Sequence, residues 1–87
     1  MKICKVAKAG TLESNDILIM VSPNPQGGVE LKLESIVIKQ FGEAIKNTIL
    51  EKLKELEVLD IIVMAQDKGA LDYTIKSRLE TAIKRSL

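Results

Sequence analysis

The groups in this chain that could do chemistry are hydroxyls, carboxylates and a single thiol, because the 87 residues contain no histidine. Without imidazole, neither a Ser-His-Asp nor a Cys-His nucleophilic site can be assembled from the chain alone. One cysteine, Cys4, cannot complete a zinc site of the usual Cys/His type. Carboxylates would have to supply any acid–base catalysis unaided, so no catalytic and no metal-ligating residue is expected. What stands out instead is a serine set where another enzyme can reach it. Ser14 lies in Gly10-Thr11-Leu12-Glu13-Ser14-Asn15-Asp16, a run of small, polar, turn-favouring residues that marks an exposed connection. A hydroxyl there can accept a covalent group without activation by its own protein, since the modifying enzyme supplies the base. On pattern alone the plainer reading is an ordinary turn or capping serine. Glu13 and Asp16 flank it and could orient the serine or meet the modifying enzyme. Both also fit as turn residues, Glu13 solvated and Asp16 bonded to nearby backbone. Gly10 suits a positive φ at a strand end.

The elements that must position this loop can be read from hydrophobic periodicity. Residues 2–9 mix apolar and lysine positions and predict a weak first strand. Ile17 to Val21 is a short continuous apolar run, consistent with a buried strand. Ser22-Pro23-Asn24-Pro25-Gln26-Gly27-Gly28 is a strong turn signal, since proline and glycine both break ladders. Val29 to Glu34 alternates apolar and charged, which predicts a half-buried strand paired as a hairpin with the preceding one. The period then changes: Ile38, Phe41, Ile45, Ile49, Leu53 and Leu56 form one helical stripe, with Ser35 as the expected N-cap. Leu59 to Met64 predicts a fourth strand. Gln66 to Gly69 turns the chain, and Leu71, Ile75, Leu79 and Ile83 describe a second helix. Asp72 in its first turn and Lys84 and Arg85 in its last complement the helix dipole. The expected fold is α+β: a single domain over residues 1–87, with a small, mostly antiparallel sheet of about four strands. Its order is β-β-β-α-β-α, with two amphipathic helices packed on one face.

Composition bounds the partners. Thirteen basic residues against 12 acidic ones leave a net charge of +1, and only two rings are present. Neither a basic footprint nor stacking aromatics for nucleic acid is therefore expected, and no Gly-x-x-Gly backbone clamp occurs. No run approaches the ~20 apolar residues of a membrane span, and the start lacks a signal-peptide pattern. A lone cysteine fits a reducing compartment, so a cytoplasmic protein with no membrane contact is expected. Cys4 itself reads as a small buried hydrophobe.

Three blocks carry a resemblance. Ala9-Gly10-Thr11-Leu12-Glu13-Ser14-Asn15-Asp16, Ile38-Lys39-Gln40-Phe41-Gly42 and Asp67-Lys68-Gly69-Ala70-Leu71-Asp72 resemble, in order and spacing, the acyl-carrier subunits (gamma) of citrate lyase. The four-helix acyl carriers of fatty-acid synthesis differ, bearing their arm on a serine that follows Asp at a helix start. The resemblance implies a 2'-(5''-phosphoribosyl)-3'-dephospho-CoA arm joined by a phosphodiester to Ser14, with Glu13, Asp16 and Gly10 in support. The arm's thiol would carry acetyl, exchanged for citryl on a transferase (alpha) subunit and regenerated on a lyase (beta) subunit as oxaloacetate leaves. Further implied partners are the enzyme that attaches the arm and the ligase that acetylates its thiol. Asp67, Lys68, Gly69 and Asp72 are candidates for docking the larger subunits, although a helix-entry turn explains them as well.

Other readings remain at this level. The carrier of malonate decarboxylase uses the same kind of arm, but its motif places glycine directly before the serine, where Glu13 stands here. A citramalate-cleaving complex would use a similar carrier. A member of another class, an unmodified α+β interaction module, would also fit the composition. The chain ends soon after its second helix, at Ser86-Leu87, where relatives often extend further.

Overall fold

In the computed structural model, which describes all 87 residues, the elements follow the expected order: β1 (Ala7–Ala9), β2 (Ile17–Ser22), β3 (Val29–Ser35), α1 (Ile38–Glu55), β4 (Ile61–Asp67) and α2 (Asp72–Arg85). They form a four-stranded sheet in the order β1-β2-β4-β3. β1 with β2 and β2 with β4 are antiparallel, whereas β3 with β4 is parallel. No helix is long and apolar enough to cross a membrane.

Alternation along the strands decides which face is covered. Ile17, Ile19 and Val21 of β2 and Ile61, Val63 and Ala65 of β4 are buried, and their register sets Ile19 opposite Ala65 and Val21 opposite Val63. Both helices cover this face. α2 lies against β1 and β2, α1 against β3, and the helices touch each other. Their buried stripes, Ile45, Ile49 and Leu53 from α1 and Ile75, Leu79, Ala82 and Ile83 from α2, complete an aliphatic core. No buried side-chain nitrogen or oxygen lacks a hydrogen bond, so this core carries no polar desolvation debt.

Four local expectations give way. β3 is not the hairpin partner of β2, because β4 inserts between them. The connection Ser22 to Gly28 holds two prolines and is too long for a tight hairpin. The nearly unbroken apolar run of β4 suits a central strand, while Glu30, Lys32 and Glu34 suit β3 to an edge. The first strand spans only Ala7–Ala9. Ile3 ahead of it is buried, the backbone N–H groups of Cys4 and Lys5 both donate to the Ser86 carbonyl, and the Cys4 side chain is exposed rather than buried. Ser35 does not cap α1. Val37 holds that position with no side-chain cap, and Ser35 Oγ accepts from the Val37 N–H at 3.1 Å while donating to Asp67 at 2.8 Å.

Candidate functional site

The loop from Gly10 to Asp16 joins two antiparallel strands at the end of the sheet where β4 hands over to α2. Gly10 sits at φ +92°, and a Cβ there would lie 1.8 Å from the Ile17 carbonyl oxygen, so only glycine permits the close approach that closes the loop. Asn15 adopts the left-handed region at φ 66°, a conformation that asparagine tolerates. Its N–H donates to the Lys68 carbonyl at 2.8 Å, and the Lys68 N–H donates back to the Asp16 carbonyl at 2.8 Å. The serine loop and the Asp67–Gly69 turn are thereby joined through backbone.

Asp16 anchors the loop. Its side chain is mostly buried and accepts from Thr11 Oγ1 (2.7 Å), the Ile17 N–H (2.7 Å), and Arg78 Nε and Nη2 (3.0 and 3.1 Å). The Arg78 guanidinium, reinforced by Thr11 and the Ile17 amide, outweighs the cost of burial and holds the carboxyl down to about 2 from 3.8. Thr11 is engaged twice, since its hydroxyl also accepts from the Glu13 N–H at 3.2 Å. Ser14 is the contrast: it is exposed, and its hydroxyl makes none of the molecule's hydrogen bonds. The loop thus presents one free hydroxyl on a backbone tied down on both sides.

The second stretch is internally occupied. Asp67 is 1% exposed, and its carboxylate accepts from Ser35 Oγ, the Gly69 N–H (3.1 Å) and the Ala70 N–H (3.0 Å). Lys68 and Gly69 are half-buried, with Gly69 at φ +94°, and Asp72 is exposed at the start of α2. The fold therefore brings Gly10, Glu13, Ser14 and Asp16 beside Asp67, Lys68 and Gly69, with the Asp67 carboxylate turned inward. Sequence reading missed Thr11 and Arg78. Arg78 falls on the polar side of a helical stripe, and nothing local to it signals a partner 62 residues away.

Beside this turn the first part of the α1 stripe fails to reach the core. Phe41 is 54% and Ile38 45% exposed, and Leu71 and Tyr73 of the α2 entry are also exposed. Phe41, Leu71 and Tyr73, with Val37, Ala44 and Gly69, line a cleft of about 550 Å³ between the two helices.

Comparison with known proteins decides the lineage. A family model described as "ACP: Malonate decarboxylase delta subunit (MdcD)" matches residues 4–86. The citrate lyase acyl carrier protein of Streptococcus mutans is 50% identical over 86 residues, covering 99% of this chain and 84% of that one. The chain belongs to the citrate lyase acyl carrier family. The corresponding protein of Vibrio cholerae is 46% identical over 86 residues, with 99% and 88% covered. A Pseudomonas malonate decarboxylase hetero-tetramer, solved with malonate, contains a chain of the same fold: TM-score 0.75 at 14% identity, covering all of this carrier and 93% of that chain. The citrate lyase relatives place this chain among the carriers, which are themselves non-catalytic.

Proposed function

We propose that Ser14 bears 2'-(5''-phosphoribosyl)-3'-dephospho-CoA through a phosphodiester. The observation that carries the reading is the contrast within one loop, where Thr11 is locked by two hydrogen bonds and the Ser14 hydroxyl is exposed and uncommitted. Attachment forms a bond from Ser14 Oγ to phosphorus as the bond to the donor's leaving group breaks, and the hydroxyl proton passes to a base of the modifying enzyme. The chain's own contribution is presentation: Arg78 and Thr11 hold Asp16, the Asn15–Lys68 backbone pair holds the crest of the loop, and Ser14 projects from it.

When bound, the group supplies a terminal thiol that carries acetyl and citryl as thioesters between a transferase (alpha) and a lyase (beta) subunit, as citrate is cleaved to acetate and oxaloacetate. The carrier raises the local concentration of the acyl group at each subunit and does no chemistry itself. The attaching enzyme and the ligase that acetylates the thiol complete its partners, in the cytoplasm.

Intact mass of the protein from its native host, followed by fragmentation of the tryptic peptide Ala9 to Lys32, tests this. An added phosphoribosyl-dephospho-CoA on Ser14 is expected. The same mass on Thr11 or Ser22 would keep the carrier role and refute the site. An unmodified chain from a host with active citrate lyase would sink both.

A further inference from the structure

Phe41 and Tyr73 are the only aromatic rings among the 87 residues. Rings are the side chains a small core gains most by burying, yet folding leaves these two 54% and 71% exposed while an aliphatic core closes without them. They come from different helices and line the same cleft, over the Gly69–Ala70 end of the turn. On the other side of that turn Lys68 lines a shallow groove together with Leu12 of the serine loop and Ile36. The Lys68 ammonium forms no ion pair with any carboxylate, unlike Lys52, Lys76 and Lys84. Lys68 and the two exposed rings thus flank the turn to which the Asn15 N–H ties the serine loop.

We infer that this cleft holds the purine of the covalent arm, stacked on Phe41 and Tyr73, with the Lys68 ammonium facing the phosphodiester. The inference rests on the Ser14 reading above. In that group the phosphodiester and one ribose separate the serine from the adenosine, and the pantetheine extends from the adenosine's far side. A docked purine thus keeps the near half of the arm on the carrier and leaves the thiol end free to swing. Stacking on an aromatic face is tolerant of geometry, and charge complementarity places the anionic linkage at Lys68 and the flat, neutral base at the rings. The tether sets a local nucleotide concentration on the order of millimolar, so a contact that captures free nucleotide only at such concentrations is sufficient.

The chain has one tyrosine and no tryptophan, so intrinsic fluorescence reports on Tyr73 alone. The experiment compares carrier purified with its arm, shown by mass to be fully loaded at Ser14, with the unloaded Ser14→Ala chain. Ring proton shifts of Phe41 and Tyr73 are read alongside emission. In the loaded protein, Tyr73 emission is expected to fall at least two-fold and both ring signals to move upfield. Phe41→Ala, at an exposed position that leaves the fold intact by thermal melt, should return at least half of the Tyr73 emission at full loading. Lys68→Gln should return part of it, and the more so the lower the salt. Adenosine monophosphate at millimolar concentration should shift the same rings of the unloaded chain. A fully loaded carrier whose rings match the unloaded chain would overturn the inference and leave the Ser14 reading standing. Rings that move only when the larger subunits are added would also overturn it, assigning the cleft to a protein partner. A chain carrying no arm at Ser14 would overturn both.

Discussion

Thr11 and Ser14 share one loop, and their hydroxyls are in opposite states: the first donates to Asp16 and accepts from Glu13, the second is uncommitted. Replacing Ser14 by alanine should abolish arm attachment in intact mass while changing unfolding free energy by less than about 0.5 kcal/mol, as for surface sites without partners. Thr11→Ala should do the reverse, keeping the added mass and costing about 1 kcal/mol in urea unfolding through the lost hydrogen bonds. Gly10 is the residue whose backbone cannot be replaced. With φ at +92° and the Ile17 carbonyl 1.8 Å from any Cβ, Gly10→Ala should cost at least about 2 kcal/mol, visible as a lowered denaturant midpoint. Ser14 and Gly10 were both legible in the sequence because small polar residues and glycine advertise a turn locally. Arg78 was not, because a long-range ion pair leaves no trace in the residues around either partner.

At the level of elements, the serine loop is fastened to α2 by Asp16–Arg78 and to the β4–α2 turn by the Asn15–Lys68 and Lys68–Asp16 backbone bonds. The Asp16 carboxyl is depressed from 3.8 to about 2, so between those values the unfolded chain binds more protons than the folded one. The stabilisation is therefore complete above the unfolded value and disappears as pH falls through about 2. Arg78 is partly open to water, which screens the pair, and the contribution is about 1–2 kcal/mol. The stability gap between the native chain and Asp16→Asn should hold constant above about pH 5 and narrow toward pH 2, measured by urea unfolding across pH. Asp67 does the corresponding work for the turn. Asp67→Ala strands Ser35 Oγ and two backbone N–H groups, so it should cost about 3 kcal/mol and raise amide exchange at Gly69 and Ala70. The periodicity marked α1 and α2 correctly, but Ile38, Phe41 and Leu71 of its stripes stay exposed. A stripe tells which side of a helix is apolar, not whether a neighbouring element reaches its first turn.

Over the whole molecule, a domain of this size buries only roughly 60–65% of its unfolded surface, so each fully buried aliphatic residue matters. Ile49 lies at 0% exposure between the α1 stripe and the rest of the core. Ile49→Ala should cost about 2–5 kcal/mol, a large share of the stability of so small a fold, and should appear as a lower melting temperature. Composition and alternation alone dictated much of this protein: an aliphatic core, an α+β order and a turn around Ser14. Those properties are local, since each strand or helix records in its own spacing which face must leave water. The insertion of β4 between β2 and β3, the Asp16–Arg78 bridge and the placing of both rings on one cleft were decided only in tertiary structure. Each depends on which distant segments compete for the same edge, charge or surface, and that competition is resolved by closing the chain on itself rather than by any stretch of residues read alone.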